Sequence, residues 1–190
     1  QGVSSAASDV YKRQPLILSV GTISRSHKRM DYVVREVANL PEPRPYLLLL
    51  GYQDSKSAEI IELGNKLLGN ENFQAKTVLQ EQVSDYYKVA DAFVLGSLSE
   101  GLARVFLEAI SHGLPCLVHD YAVSRYAFED EGYYGDFRVE GSLTKLISQV
   151  LAEGHDESKY IQRHRSAYER FSWDKLSSTY VEMIQQCANS

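Results

Sequence analysis

Short apolar runs alternate with helical patterns along most of the chain. The runs are four to seven residues long, which is typical of strands, and they predict strands at 16–20, 46–50, 73–79, 92–95 and 115–118. Between them, apolar residues recur at helical spacing, which predicts helices at 30–40, 60–68, 83–90 and 105–110. Apolar strands that are each followed by a helix indicate a parallel sheet buried on both faces. The pattern therefore predicts an α/β, Rossmann-like fold with helices on both faces of the sheet.

The two ends of the chain follow other patterns. After about Gly141 only helical patterns occur, at 143–151, 158–170 and 175–186, so C-terminal helices are expected beyond the sheet. Residues 1–14 are small and polar without periodicity, and they are expected to be a linker or a non-native segment. Residues 15–190 are predicted to form a single domain.

Glycines follow three of the predicted strands, at Gly21, Gly51 and Gly96. Open α/β sheets bind their ligands in the crevice at the carboxyl ends of the strands. A ligand cleft is therefore expected along this edge of the sheet.

The segment 97–115 carries the most informative chemistry of the chain. Seven residues separate Glu100 from Glu108, and a helix is predicted to start at about Leu102. The free N–H groups of the first helical turn and the helix dipole attract phosphate. Glu108, about two turns further along, can accept hydrogen bonds from both hydroxyls of a ribose. The segment therefore indicates a nucleotide site.

Composition narrows the possible functions. Hydrophobic residues make up 44% and charged residues 24% of the chain, as in ordinary globular proteins, and no apolar run approaches the length of a membrane span. A net charge of −5 without a basic run argues against nucleic-acid binding. The two cysteines and five histidines show no metal-binding spacing. The expectation is a cytoplasmic protein without a metal site.

The segment 97–115 resembles the E-x7-E signature of the retaining glycosyltransferases of family 4, which have the two-domain GT-B architecture. Further landmarks resemble that family in the same order: Gly21 followed by Lys28, YYKVADAFVL at 86–95, HGLP at 112–115 and FSW at 171–173. The family binds its donor in the C-terminal domain, and the resemblance covers nearly everything after Pro15. It implies that the chain is this donor-binding half and that the N-terminal acceptor domain is absent.

The resemblance also implies a role for each matching residue. Glu108 would bind the ribose hydroxyls, and Glu100 would contact the donor sugar near the reacting centre. Lys28 would neutralise the diphosphate as the glycosidic bond breaks, so Glu100 and Lys28 are the candidate catalytic residues. The other candidate donor-binding positions are Gly21, Thr22, Arg25, Gly101, Leu102, Ala103 and Arg104. No metal or other cofactor is expected, because the lysine and the helix dipole supply positive charge.

The implied reaction transfers a hexose-type sugar from a nucleotide diphosphate sugar to a glycan or glycoconjugate acceptor, with retention at the anomeric carbon. The implied partners are this donor and the missing N-terminal domain, and no nucleic acid. Membrane association is expected only through the absent half. The isolated chain is expected to be inactive, because the reacting groups must be held between two domains.

The sequence departs from the family pattern at several positions. Thr22 stands where the family commonly has an arginine, and Arg25 is the candidate replacement. Ala103 and Arg104 replace a glycine and an apolar residue, and 119–125 replaces a glycine-rich loop. These differences give some support to an alternative function, a non-catalytic Rossmann-like interaction or regulatory domain with a vestigial cleft. A dinucleotide-dependent dehydrogenase is disfavoured because no G-x-G-x-x-G follows the first strand.

Several residues allow two interpretations. Each charged candidate can also be an ordinary surface or helix-end charge. His119 is either a ligand contact or a structural histidine, and Tyr133 and Tyr134 either stack on a base or pack within the fold. Trp173 is expected to anchor the last helix by packing. Gly101→Val is expected to damage the turn into the helix if Gly101 needs a positive φ or a close approach of ligand.

Overall fold

The computed structural model describes residues 14–188, and the expected linker at 1–14 lies outside them except for Gln14. The strands of this part form one parallel sheet in the order β3-β2-β1-β4-β5-β6. They are β1 Leu16–Val20, β2 Tyr46–Leu50, β3 Phe73–Lys76, β4 Ala92–Leu95, β5 Cys116–His119 and β6 Gly132–Gly135. The predicted parallel, Rossmann-like α/β fold is confirmed.

Helices connect the strands and continue beyond the sheet. In the described part of the chain they are α1 Met30–Ala38, α2 Ser57–Leu68, α3 Val83–Val89, α4 Arg104–Ser111, α5 Ala122–Phe128, α6 Ser142–Glu153, α7 Glu157–Phe171 and α8 Trp173–Ala188. The last three follow the final strand, as predicted for the C-terminal helices.

Strand side chains alternate between two hydrophobic cores, one on each face of the sheet. In β1, Ile17 packs in the core that includes α1, α2 and α6, and Leu18 packs in the core that includes α3, α4 and α7. Both side chains are fully buried. Burying a side chain of this size stabilises the fold by about 1.5–3 kcal/mol. Because both faces of the central strands are covered, their sequences are nearly continuous apolar runs.

The segment between β5 and α6 contains two elements that the apolar pattern did not predict, helix α5 and edge strand β6. The strand has the sequence GYYG, which is too short and too rich in glycine to give a strand signal. The Tyr133 hydroxyl donates to Glu153 at 2.7 Å, and the Arg125 guanidinium lies 3.7 Å from the ring centre of Tyr134. Both tyrosines therefore pack within the fold.

Helix α8 lies on the surface. None of its described residues is buried, and Trp173 is 66% exposed, with its ring beside that of Tyr180. The expectation that Trp173 anchors this helix by packing is wrong, because α8 rests on the polar helix α7 and not on the sheet. No helix among residues 14–188 is long and apolar enough to cross a membrane.

A buried carboxylate joins α1 to the start of α6. Glu36 is 1% exposed and accepts hydrogen bonds from the N–H groups of Gly141 at 2.7 Å and Thr144 at 2.9 Å. The free N–H groups and the dipole at the helix N-terminus compensate the buried negative charge. Glu36 therefore fixes α6 beside the first hydrophobic core.

The loops after β1 and β2 touch at the carboxyl edge of the sheet. The N–H of Gly21 donates to the carbonyl of Leu50 at 2.9 Å. A Cβ atom at Gly51 would lie 1.8 Å from the carbonyl oxygen of Gly21, far inside van der Waals contact. Glycine at position 51 therefore allows the two backbones to approach.

This contact predicts that Gly51→Ala lowers the free energy of unfolding by about 2 kcal/mol or more, because the backbone must shift to admit the methyl group. Urea denaturation measures the loss. Gly101→Ala is the matched control, because a Cβ atom at Gly101 has nothing within 4 Å and should cost little. Equal stability of the two variants would contradict the prediction.

Candidate functional site

The order of the sheet reverses between β1 and β4, and the strongest candidate residues lie at this point. The two strands pair in parallel, and the chain leaves them towards α1 and α4. Crevices for ligands form where strand order reverses in this way. Lys28 comes from the loop after β1 and Glu100 from the loop after β4, and Nζ of Lys28 lies 2.6 Å from Oε1 of Glu100. Residues 72 positions apart thus form one ion pair.

Glu100 is held by three side-chain donors. Besides Lys28, the Ser97 hydroxyl lies 2.7 Å from Oε1, and Nε2 of His27 lies 2.9 Å from Oε2. The Glu100 side chain is only 9% exposed. Burial by itself raises the pKa of this carboxyl, but the hydrogen bonds from Lys28, Ser97 and His27 outweigh burial and hold the pKa below its usual range. Glu100 is therefore ionised at neutral pH.

Lys28 reaches Glu100 because of the backbone around it. A Cβ atom at Gly21 would approach Cε of Lys28 to 3.2 Å, so glycine leaves room for the lysine stem. The next residue, Arg29, has a left-handed conformation with φ 47°. Its guanidinium donates to the carbonyls of Gly96 at 3.3 Å and Phe137 at 3.0 Å. Arg29 thereby ties the β1 loop to the end of β4.

Helix α4 begins at Arg104, two residues later than predicted, with Ala103 in extended conformation as the N-cap residue. Phe106 is buried, and its N–H already bonds the carbonyl of Ala103 at 2.9 Å. In general the first N–H groups of a helix have no partner within the helix. The start of α4 therefore offers donors to an anion at the carboxyl edge.

Glu108 lies in the second turn of α4 and is half-buried. The hydroxyl of Tyr87, which is buried on α3, donates to its Oε2 at 3.1 Å. The carboxylate keeps lone pairs for other donors, since its two oxygens together accept about four hydrogen bonds. This geometry suits a vicinal diol.

Most of the other predicted donor-binding residues are exposed to solvent. Arg25 is 64% exposed and pairs with Asp31 at 3.2 Å, so its guanidinium is bound to α1 and does not join Lys28. Thr22, Gly101 and Leu102 are exposed in the loops, and Arg104 is exposed at the first position of α4. Gly101 has neither a positive φ nor a protein neighbour near its Cβ position, so the conformational condition for damage by Gly101→Val is not met.

His119 has a structural role in this fold. It is 6% exposed, and its Nδ1 accepts a hydrogen bond from the N–H of Phe137 at 3.1 Å. Its ring is stacked with that of Tyr121. The structural interpretation of His119 is therefore the one that the geometry supports.

Sequence reasoning missed three side chains that bond the carboxylates of Glu100 and Glu108: His27, Ser97 and Tyr87. Ser97 stands three residues before Glu100, so its proximity was open to prediction. The contacts of His27 and Tyr87 join distant parts of the chain and leave no local signal.

Among residues 14–188 no group of three or more His, Cys, Asp or Glu side chains is arranged to hold a metal ion.

Comparison with known proteins gives a family match over most of the chain. The model described as "Glycosyl transferases group 1" matches residues 3–167. The chain is 25% identical over 178 residues to the amylovoran biosynthesis glycosyltransferase AmsD of Erwinia amylovora, covering 93% of this chain and 48% of that protein. It is 23% identical over 188 residues to the lipopolysaccharide core biosynthesis glycosyltransferase LpsE of Rhizobium meliloti (strain 1021), covering 96% of this chain and 53% of that protein. The chain spans about half the length of these curated relatives.

A solved structure shares the fold. The crystal structure of Anabaena Alr3699/HepE in complex with UDP superposes with a TM-score of 0.82 at 14% identity, covering 91% of this chain and 49% of that chain. At 14% sequence identity this similarity shows a shared fold alone.

The contacts of Glu100 predict a pH-dependent effect of Glu100→Gln. At pH 7 the variant should lose about 1 kcal/mol of unfolding free energy, because a neutral amide accepts weaker hydrogen bonds than a carboxylate. The folded pKa is depressed, so the ionised carboxylate stabilises the fold above the unfolded pKa of about 4.5, and this stabilisation is lost as pH falls through the folded pKa. Urea denaturation at several pH values should show the difference shrinking in acid.

Asp85→Asn is the control for this experiment. Asp85 pairs with Lys88 at 2.8 Å, but the two side chains are 73% and 61% exposed, so little stability should be lost. A loss for Glu100→Gln that is independent of pH, or no greater than the control, would contradict the prediction.

Proposed function

The chain belongs to the glycosyl transferases group 1 family, and we propose that residues 15–190 are its donor-binding domain, which holds a nucleotide diphosphate sugar. The observation that carries the proposal is the Lys28–Glu100 pair at 2.6 Å, at the reversal point of the sheet and close in sequence to the start of α4. This site combines a cation, helix N–H donors and two carboxylates. These are the groups that a diphosphate, a sugar and a ribose require.

In the proposed complex the Lys28 ammonium and the first N–H groups of α4 bind the diphosphate. Negative charge grows on the leaving diphosphate as the glycosidic bond breaks, and a fixed cation stabilises that transition state. Glu100 accepts hydrogen bonds from sugar hydroxyls beside the reacting carbon. Glu108 accepts both ribose hydroxyls. The reaction proposed is transfer of a hexose-type sugar to a glycan or glycoconjugate acceptor, with retention as in the GT-B enzymes of family 4.

The acceptor is proposed to bind a second domain that forms the opposite wall of the cleft. The chain spans about half of AmsD and LpsE, which supports a two-domain arrangement of the whole protein. Transfer requires donor and acceptor to be held together in a fixed geometry. The chain by itself is therefore expected to bind donor and to transfer little or no sugar.

The proposal predicts saturable binding of a nucleoside diphosphate. UDP, GDP and ADP are titrated separately by ligand-observed NMR, with UDP first because the structurally similar HepE was solved with UDP. Lys28→Met should weaken binding about tenfold or more, since a charge-assisted contact to phosphate is lost. Glu108→Gln should weaken it by a similar factor.

Lys66→Met and Glu71→Gln are the matched controls. Lys66 lies in the last turn of α2, and Glu71 lies just before β3, so both are at the amino edge of the sheet, opposite the proposed site. Both variants should bind as the wild type does. Failure of the wild type to bind any of the three nucleotides, or an equal loss in the controls, would overturn the proposal.

A further inference from the structure

Tyr87 is buried beneath Glu108 and held firmly by its neighbours. It is 1% exposed, and its ring is stacked on that of His112 with centres 5.2 Å apart. The ring centre of Phe93, in strand β4, lies 6.0 Å from the ring centre of Tyr87. A side chain packed in this way between a strand and a helix has little freedom to turn.

The hydroxyl of Tyr87 acts as a fixed donor to the Glu108 carboxylate. The two groups are 3.1 Å apart. Burial and the nearby Glu108 charge raise the pKa of Tyr87 far above its usual value, so the hydroxyl keeps its proton at neutral pH. It can therefore restrain Oε2 of Glu108 continuously.

A second contact holds the backbone of the same residue. Nδ1 of His112 lies 2.8 Å from the carbonyl oxygen of Glu108, and Nε2 lies 3.0 Å from the hydroxyl of Ser84. A carbonyl only accepts, so Nδ1 carries the proton and Nε2 can accept the proton of Ser84. Helix α3 thus holds the main chain of Glu108 through Ser84 and His112, and its side chain through Tyr87.

From these contacts we infer that Tyr87 is a positioning residue, which orients the Glu108 carboxylate for a ribose diol. The inference rests on the proposed function. A free glutamate side chain samples several rotamers, and a ligand that binds it must stop this motion. Tyr87 removes that cost before the nucleotide arrives, and it leaves Oε1 and one lone pair of Oε2 for the two hydroxyls.

The test compares each nucleotide with its analogue that lacks the diol. Dissociation constants are measured for UDP, GDP and ADP and for their 2′,3′-dideoxy forms, on the wild type, Tyr87→Phe and Glu108→Gln. Wild type should prefer the ribonucleotide, and Tyr87→Phe should reduce this preference by about three- to tenfold. Adding Tyr87→Phe to Glu108→Gln should reduce it no further, because residues that act through one contact are not additive.

Tyr86→Phe is the matched control on the same helix. The hydroxyl of Tyr86 accepts a hydrogen bond from Lys76 at 2.8 Å and has no part in the Glu108 contact, so the preference should stay at the wild-type value. The ratio of the two dissociation constants is taken on one protein sample, so a smaller folded fraction affects both ligands equally. General loss of stability therefore does not move the readout.

The outcomes separate the two proposals. A wild type that binds the ribo and dideoxy forms equally overturns the role of Glu108 in the proposed function, and the inference with it. A wild type that prefers the ribonucleotide while Tyr87→Phe keeps the full preference overturns the inference alone. If Tyr87→Phe is too unstable in buffer, the three proteins are compared in trimethylamine N-oxide, which favours the folded state, and the same outcomes apply.

Discussion

The site depends on the parallel pairing of β1 with β4, because this pairing brings two distant loops together. Ile17 lies opposite Ala92 and Leu18 opposite Phe93, and all four residues are fully buried. Slippage by one residue would turn each apolar side chain to the other face, so both cores resist it. The carboxyl ends of the strands are thereby fixed side by side, and the loops that follow deliver Lys28 and Glu100 to within 2.6 Å.

This ion pair also determines what the carboxyl edge of the sheet presents to a ligand. The Lys28 and Glu100 side chains are 18% and 9% exposed, so each charge would be costly without the other. A phosphate that binds Lys28 must compete with Glu100, whereas His27 and Ser97 continue to donate to the carboxylate. The extra donors therefore allow Lys28 to move towards an anion without leaving Glu100 unpaired. A glutamate with Lys28 as its only donor would be left unpaired by such a movement.

The parts of the structure that could be predicted are those with a short-range signal. Buried strands such as 46–50 form apolar runs, so the sheet could be predicted from the sequence. The spacing of Glu100 and Glu108 is also visible in the sequence, so both could be identified as candidate residues. Strand β6 was missed because two glycines flank two tyrosines. Glu36 resembles any helical glutamate in the sequence, and its burial follows from a helix 105 residues away. A contact between residues so far apart in the sequence depends on the packed fold and not on the local sequence pattern.

The two glutamates show why residue type and spacing do not settle a role. Both lie on one short segment, yet Glu100 receives bonds from a lysine, a histidine and a serine, whereas Glu108 receives one from a buried phenol. The Lys28 ammonium and the hydrogen bonds from Ser97 and His27 keep Glu100 ionised beside the proposed reacting centre, where charge stabilises the transition state. The neutral phenol orients Glu108 and leaves its remaining lone pairs for hydroxyl donors. The surroundings of Glu100 therefore favour a role in the proposed reaction, and those of Glu108 favour a role in nucleotide recognition. The spacing of the two residues in the sequence does not distinguish these roles.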